Sequence, residues 1–295
     1  MKNENRRGVI LDTDIGYDAD DFFALLLLLN SSELSLDLIV TGDETKEKRA
    51  RLTRKILEIA GRSDINVVAG ADLGNTNFSV DEMISDTPQH KREHDAVEMM
   101  NVIVEQCDEV TYIGIQGFSN LSALIRRYPD VKKKLKVFQM GCAIDYSRRE
   151  GWVEHNVRID IPAAQHVLAS GLDITLVMAQ TTMAPGYYFD EKNSVMLKLR
   201  ASKNPLHVML FQSVMRFHEK LAQKGVGDPW PYAHDPLAVS VALGKDFVQF
   251  EEMTVSMNER GELLRDPHGQ KVCGSLRESN STAFMQFLED RLFQK

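Results

Sequence analysis

Residues 8–29 of the chain read GVILDTDIGYDADDFFALLLLL. The apolar run Gly8–Leu11 predicts a short buried strand, and Phe22–Leu29 predicts a helix that is buried on all sides. Between them, five aspartates fall within the ten residues from Asp12 to Asp21. Two unit charges about 4 Å apart repel by about 4 kcal/mol at an effective dielectric constant of about 20, so this crowding requires protonation or a bound cation. Oxygen ligands favour a hard cation, Ca²⁺ or Mg²⁺.

The rest of the first two thirds of the chain alternates short apolar runs with helical patterns. Further strands are predicted at Leu36–Val40, Ile65–Ala69, Val110–Ile115, Leu135–Met140 and Ile174–Ala179. Helices are predicted at Asp20–Asn30, Thr45–Ala60, Asp95–Gln106, Ser119–Tyr128 and Ile161–Ser170. This alternation predicts an α/β fold with a Rossmann-like, mostly parallel sheet that is flanked by helices.

Beyond Glu191 the pattern changes to long helices, including Leu206–Lys224 and a last helix near Thr282–Phe293. We interpret this part as a helical C-terminal elaboration, with a flank or cap at roughly residues 190–232, and not as a second domain. The chain, residues 1–295, is therefore predicted to form a single domain.

Composition narrows the possible partners and compartments. The chain has 35 Lys and Arg against 43 Asp and Glu, a net charge of −8, which argues against a general binder of nucleic-acid backbones. The three cysteines, Cys107, Cys142 and Cys273, are widely spaced and form no CxxC pair, so neither a zinc ribbon nor a disulfide framework is indicated. The longest apolar run has eight residues, well short of the roughly twenty of a membrane span. We expect a cytoplasmic protein with neither nucleic-acid nor membrane partners.

Three known kinds of site can be compared with the acidic loop. An EF-hand needs Gly at its sixth position and Glu at its twelfth, but counting from Asp12 gives Tyr17 and Phe23. A P-loop needs a glycine-rich turn that ends in Lys-Ser or Lys-Thr, which this loop lacks. A Mg²⁺-dependent phosphatase of the haloacid dehalogenase type, with Asp12 as nucleophile, remains an alternative. Simple capping of a helix would also account for Asp20.

Polar motifs also follow the later strands, and ligands of open α/β sheets bind at the carboxyl ends of strands. They are Gly42-Asp43, Gly117-Phe118-Ser119-Asn120, Met140-Gly141-Cys142, Glu154-His155-Asn156 and His234-Asp235-Pro236. Together with DTDIGYDADD at residues 12–21, these motifs resemble, in the same order, those of the inosine–uridine-preferring nucleoside hydrolase family. The resemblance covers most of the chain.

The resemblance implies a Ca²⁺-dependent enzyme of nucleoside salvage that hydrolyses the N-glycosidic bond of ribonucleosides and releases ribose and a free base. It implies a nucleoside as the small-molecule partner and a homo-oligomer, dimer or tetramer. Calcium would be bound by Asp14, Asp21, Asp235 and the backbone carbonyl of Ile115. The ribose would be bound by Asp20, Asp43, Glu154 and Asn156. Asp14 would take the proton of the attacking water, and His234, titrating near neutrality, would protonate the leaving base.

Two departures from the family pattern affect these expectations. The loop is two residues longer than the family's and contains the additional Asp18, which we expect to point towards solvent. Asp18 as the metal ligand, with Asp21 turned away, remains an alternative. Asp43 stands where the family has Asn, so a non-catalytic protein that binds a ribosyl ligand or a cation remains a further alternative. Four rings near the expected base pocket are predicted to pack in the core or a lid rather than contact the base: His207, His218, Trp230 and Tyr232.

Overall fold

The computed structural model describes residues 6–44, 46–88, 94–227 and 229–294. Its strands are β1 (Arg7–Thr13), β2 (Leu38–Thr41), β3 (Asn66–Ala69), β4 (Glu109–Gly114), β5 (Leu135–Met140), β6 (Asp173–Val177), β7 (Val248–Met257), β8 (Leu263–Arg265) and β9 (Gln270–Ser279). Its α-helices are α1 (Asp20–Leu29), α2 (Lys48–Ile59), α3 (Ala96–Gln106), α4 (Ser119–Arg127), α5 (His155–Arg158), α6 (Ile161–Leu168), α7 (Ala179–Thr182), α8 (Ser194–Ala201), α9 (Pro205–Gln223), α10 (His234–Ala242) and α11 (Ser281–Leu292).

The strands of the described residues form one nine-stranded sheet in the order β3-β2-β1-β4-β5-β6-β9-β7-β8. Strands β1 to β6 and β9 pair in parallel, whereas β7 is antiparallel to both β9 and β8. The order reverses between β1 and β4, because the chain first builds outward to β3 and then returns to the other side of β1. A reversal of this kind leaves a crevice at the carboxyl ends of the two strands. The predicted α/β fold class is confirmed.

The core lies on both faces of this sheet because side chains alternate along β1. Val9 and Leu11 belong to a hydrophobic cluster with α1, α8, α9, α10 and α11, whereas Ile10 belongs to a second cluster with α3, α4 and α6. Nine of the ten residues of α1 are buried, in agreement with the prediction of a helix that is buried on all sides. The C-terminal helices share the cluster of α1 and so belong to the same core.

The C-terminal part is not wholly helical, however. The predicted helices are present as α9 and α11, but residues 248–279 form β7, β8 and β9, for which we predicted no strands. Strand β7 lies near the sheet edge and carries Glu251 and Glu252 among its apolar residues, so its burial does not alternate regularly. A half-exposed strand of this composition lacks the period-two signal on which strand prediction depends.

Within the described residues, none of the helices combines the length and the apolar character needed to cross a membrane.

Candidate active site

A cavity of about 580 Å³ opens at the crevice between β1 and β4. Its size lies in the range of roughly 300–1,000 Å³ that is typical of small-molecule sites. Most of the predicted site residues line it together, namely Asp14, Asp20, Asp21, Ile115, Glu154, Asn156, His234 and Asp235. The predicted residues therefore come from distant parts of the chain to a single place.

Three buried carboxylates meet on one wall of the cavity. Oxygens of Asp20, Asp21 and Asp235 all lie within 4.8 Å of one another. They converge because α1 and α10 pack side by side, with Asp20 and Asp21 as the first two residues of α1 and Asp235 as the second residue of α10. The N-cap positions belong to Ala19 and Ala233, so the interpretation of Asp20 as a simple helix cap is wrong.

This wall is electrostatically unfavourable by itself. Burial raises the pKa of Asp20, Asp21 and Asp235 well above the usual value, and repulsion within the group and from Asp14 raises it further. The carboxylate of Asp21 accepts hydrogen bonds from the Thr13 hydroxyl and from the Asp14 N–H at 3.1 Å. An all-oxygen group of buried acids fits the binding of a hard cation, which would neutralise the repulsion.

A second group adjoins the first and consists of Asp14, Asp43 and His155, whose ligand atoms also lie within 4.8 Å of one another. Asp43 has a φ of 46°, in the left-handed region that Asn and Asp tolerate better than most residues. Its carboxylate accepts a hydrogen bond from the Asn75 side chain. Thus Asp14, which was predicted as a metal ligand, lies between Asp21 on one side and Asp43 on the other.

Arg49 of α2 holds the backbone around both groups. Its side chain is 0% exposed, and the guanidinium donates to the carbonyls of Asp43 and Ile15 at 3.0 Å each and of Asn77 at 3.2 Å. It also donates to the carbonyl of Asp14 and lies 3.9 Å from the Asp43 carboxylate. One fully buried cation therefore ties the acidic loop to the turn after β2.

Sequence reasoning missed Arg49, although a signal was present. Its position falls on the apolar face of α2 with Leu52 and Ile56, and all three are buried. An arginine at a core-facing position of an amphipathic helix needs buried partners, which here are carbonyls of the site. Sequence reasoning also left His155 and Thr182 unassigned, because their roles depend on contacts between distant elements.

Asp12 is not placed to act as a nucleophile. Its carboxylate is 1% exposed and accepts hydrogen bonds from Gln116 and Asn120 at 2.8 Å each and from the Tyr112 hydroxyl. Burial raises the pKa of Asp12 to about 7. With its oxygens saturated below the cavity floor, Asp12 serves the packing between β1 and β4, and the phosphatase alternative loses its nucleophile.

Asp18 does not point into solvent, contrary to our expectation. It is half-buried and lines the cavity, where its carboxylate accepts the Ala19 N–H at 2.7 Å and hydrogen-bonds with Asp20. Burial raises the pKa of Asp18 to about 6. Two clusters of potential metal ligands are found among the described residues, Asp20/Asp21/Asp235 and Asp14/Asp43/His155, and Asp18 belongs to neither of them.

Glu154 and Asn156 line the cavity at the start of α5. The Glu154 carboxylate caps this helix by accepting the N–H groups of Asn156 at 3.1 Å and Val157 at 3.2 Å, and it also accepts from Cys142 at 3.1 Å. The Asn156 side chain donates to the Met140 carbonyl at 3.2 Å. Both predicted ribose ligands are thus fixed in place by the backbone before any ligand binds.

His234 lies at the first position of α10, beside the carboxylate wall. Its Nδ1 is 2.6 Å from the Thr182 hydroxyl oxygen, and its ring stacks on Tyr232. Burial lowers the pKa of His234 to about 4, and the positive charges of Arg148 and His155 contribute. The expectation that it titrates near neutrality is therefore wrong for the free protein, in which the imidazole is neutral at pH 7.

Aromatic and apolar side chains close the cavity above the acidic loop. Phe217 of α9 packs edge-on against Tyr17 at a centroid distance of 5.7 Å, and both line the cavity. The four rings that were predicted to pack in the core or a lid, His207, His218, Trp230 and Tyr232, contact other side chains or the backbone and do not line the cavity. His218 stacks on Trp230 at 4.0 Å, and His207 lies 2.9 Å from the Leu292 carbonyl oxygen.

Comparison with known proteins agrees with this geometry. The family model for the inosine-uridine preferring nucleoside hydrolase matches residues 9–294. The pyrimidine-specific ribonucleoside hydrolase RihA of Escherichia coli O7:K1 is 24% identical over 273 residues, which cover 86% of this chain and 85% of the relative.

Solved structures show the same fold. A plant nucleoside hydrolase, the PpNRh1 enzyme, superposes with a TM-score of 0.82 at 20% identity, covering 98% of this chain and 99% of its own. A purine-preferring ribonucleoside hydrolase from Gardnerella vaginalis gives a TM-score of 0.81 at 21% identity, covering 97% and 98%. Since the family model spans nearly the whole chain, the chain belongs to the inosine-uridine preferring nucleoside hydrolase family, a family of N-ribosyl hydrolases.

Proposed function

We propose that the chain hydrolyses the N-glycosidic bond of ribonucleosides in a reaction that depends on bound Ca²⁺. The observation that carries this proposal is the meeting of Asp20, Asp21 and Asp235 within 4.8 Å on the wall of the cavity. Nucleosides are small enough for such a cavity, and the carboxylate wall suits a reaction in which positive charge develops on the sugar ring.

For the cation we propose the ligands Asp14, Asp21, Asp235 and the carbonyl oxygen of Ile115. Support comes from the adjacency of Asp14 to Asp21 and from the raised pKa of Asp21 and Asp235, which the charge of Asp14 raises further. When bound, calcium would supply a strong positive charge that orients the ribose diol and makes a nearby water easier to deprotonate. Asp20, within the same group, is proposed to accept a hydrogen bond from the diol.

The remaining residues act on the sugar and on water. We propose that the Asp14 carboxylate accepts the proton of the attacking water, since it faces the cavity beside the carboxylate wall. Asp43 is held by Asn75 and Arg49 next to Asp14 and is proposed to accept from a ribose hydroxyl. Glu154 and Asn156, which line the cavity at the start of α5, are proposed to bind the 5′ end of the ribose.

His234 is proposed to assist the departure of the base. Because its imidazole is neutral in the free protein, one ring nitrogen donates while the other accepts. If the Thr182 hydroxyl donates to Nδ1, the proton lies on Nε2 and is available to the leaving base. A fixed neutral imidazole can stabilise a developing negative charge as a hydrogen-bond donor.

An assay of several compounds distinguishes this function from the alternatives. Purified protein is incubated with purine and pyrimidine ribonucleosides and with p-nitrophenyl phosphate, and free base, reducing sugar and phosphate are measured. We expect equimolar release of base and ribose and no release of phosphate. Stabilisation by nucleosides or ribose without any turnover would instead support the non-catalytic alternative. The named relatives differ in base preference, so the panel must include both classes of base.

A cytoplasmic location and a homo-oligomer are also part of the proposal. The cysteines support a reducing compartment, since all three are free and two of them are buried. The oligomeric state can be determined by light scattering coupled to gel filtration.

A further inference from the structure

Several basic side chains line the cavity, and the proposed nucleoside reaction gives them no role. Arg148, Arg149, His155 and Arg158, which we call the basic rim, line the same cavity as the aspartates. All four are exposed at the cavity mouth, in a chain whose net charge is −8. They come from one segment, which also contains Glu154 and Asn156.

Two arginines of the rim, Arg148 and Arg149, project from a loop that is held by its own hydrogen bonds. The Ser147 hydroxyl donates to the Arg149 carbonyl and accepts the Arg149 N–H at 3.3 Å, and the Trp152 N–H donates to the same carbonyl at 3.1 Å. The Trp152 ring packs edge-on against Tyr146 at 5.7 Å. These contacts fix the backbone from which Arg148 and Arg149 extend.

Within the described residues, two arginines of the rim, Arg148 and Arg149, are not paired with the aspartates of the cavity. Among the residues that the structure describes, neither Arg148 nor Arg149 has a side-chain hydrogen bond or an ion pair, although the cavity they line also contains five aspartates. By contrast, Arg49, Arg216 and Arg291 each have a carboxylate within 4.0 Å. Arg148 and Arg149 thus keep unpaired charges among the described residues, whereas Arg158 Nη2 lies 3.0 Å from His155 Nδ1 and His155 lies within 4.8 Å of Asp14 and Asp43.

Such an arrangement suits a ligand that carries charge at one end. We propose that the basic rim binds a phosphate on the 5′ carbon of the ribose, so that the cavity accepts nucleoside 5′-monophosphates in preference to nucleosides. This inference rests on the proposed function, because it places the 5′ end of the sugar beside Glu154 and Asn156. A neutral nucleoside would gain nothing from unpaired guanidinium groups, whereas a phosphate pairs with them strongly.

The chemistry of the bond cleavage is unchanged. Water adds to the anomeric carbon, the carbon–nitrogen bond breaks, and the base leaves with its bonding electron pair and gains a proton. The phosphate ester stays intact, so the products are ribose 5-phosphate and a free base. The rim residues contact only the phosphate and act in binding.

The test compares a nucleoside with its 5′-monophosphate in three proteins: wild type, Arg148→Ala/Arg149→Ala and the control Lys192→Ala/Arg200→Ala. The control removes two exposed positive charges that lie outside the cavity. We expect wild type to favour the monophosphate in kcat/KM by about tenfold or more, the scale of one charge-assisted hydrogen bond. The rim variant should lose most of this preference and the control should keep it, and raising the salt concentration should reduce it. Phosphate release is measured in parallel, to exclude prior dephosphorylation.

A binding experiment keeps the two proposals separable. The melting temperature is measured with ribose, with ribose 5-phosphate and with inorganic phosphate. If ribose 5-phosphate stabilises the wild type but not the rim variant, phosphate binding by the rim is supported. This holds even if no compound is hydrolysed and the proposed function fails. If nucleosides are hydrolysed with no preference for the monophosphate, the proposal that the rim binds a 5′-phosphate is wrong, whereas the proposed function is retained. Equal stabilisation by inorganic phosphate alone also overturns it, since the rim would then bind a free anion.

Discussion

The acidic loop and the turn after β2 depend on a balance of single charges. Asp43, at the position where the family resemblance predicts Asn, adds a negative charge beside Asp14. Arg49, fully buried 3.9 Å from the Asp43 carboxylate, supplies the opposite charge and at the same time satisfies four backbone carbonyls. Burial and the charge of Asp14 raise the pKa of Asp43, and the hydrogen bond from Asn75 and the charge of Arg49 oppose that rise.

Substitutions in the acidic loop test the assignment of its aspartates. We predict that Asp14→Asn and Asp21→Asn each weaken cation binding and lower kcat by at least about a hundredfold, the scale of losing one transition-state electrostatic contact. Asp18→Asn, on the same loop but outside both carboxylate groups, should lose less than either. Calorimetric Ca²⁺ titration and steady-state kinetics provide the measurements. If Asp18→Asn lost more activity than the other two variants, the assignment would be wrong. The alignment of this loop with the family motif would then have to shift by two residues.

The role of His234 is tested by the choice of leaving group. His234→Ala should slow the hydrolysis of natural nucleosides by about a hundredfold, within the range for removal of a general acid. It should slow p-nitrophenyl riboside by much less, because that leaving group needs little protonation. Thr182→Val removes only the hydroxyl partner of Nδ1. It should likewise slow natural nucleosides more than p-nitrophenyl riboside, but by a smaller factor than His234→Ala. Equal losses on both substrates would make His234 a structural residue.

At the scale of elements, the loop after α1 is fastened to the C-terminal helices by Glu33. Its carboxylate is 2.9 Å from the Lys245 amine and also binds Arg291 of α11. Partial burial alone would raise the pKa of Glu33, but hydrogen bonds from Lys245 and Arg291 lower it to about 2. The helix that carries Asp20 and Asp21 is thereby tied to the last helix of the chain.

This pair of contacts predicts a pH dependence of stability. A carboxyl whose pKa falls on folding stabilises the native state above its unfolded value of about 4.5 and loses that effect as pH falls towards 2. Glu33→Gln should therefore lower the free energy of unfolding by about 0.5–1 kcal/mol at pH 7, as for partly exposed pairs, and by progressively less below pH 4.5. Urea unfolding at several pH values measures this. Glu219→Gln, which removes a single exposed partner of Arg216 within α9, serves as control and should have a smaller effect.

The elements differ in how far their sequence specifies them. Strand β5 and helix α9 were predicted to within a residue, because both carry local signals. The signal of β5 is a short stretch of mostly apolar residues, and that of α9 is an amphipathic pattern between Pro205 and Lys224. Strands β7 and β9 were not predicted, and no local signal indicates that β9 lies between β6 and β7. In the site, the motifs singled out Asp21 and Asp235, which the structure brings together on the cavity wall. The pKa of His234 depends on packing between elements that are distant in sequence.

For the molecule as a whole, the carboxylate wall predicts a strong link between cation and stability. A ligand bound only by the native state stabilises it by about 2.7 kcal/mol at a hundred times its dissociation constant. Chelation should therefore lower the melting temperature, and added Ca²⁺ should restore it. Asp235→Asn is the matched control, since its melting temperature should respond little to chelator. An unchanged wild-type melting temperature after exhaustive chelation, with no divalent cation found by elemental analysis, would contradict the calcium proposal.

The meeting of α1 and α10 also determines when, during folding, the carboxylate wall first exists. Asp21 and Asp235 lie more than two hundred residues apart in the chain, so they come together only after a very long loop has closed. Contacts of such long range form late, and a chain still emerging from the ribosome has no complete ligand set until α10 has been synthesised and packed. Interactions that are absent from the folding transition state slow unfolding without accelerating folding. If the proposed cation binds at this wall, it should therefore prolong the lifetime of the folded protein and leave the rate of its refolding unchanged.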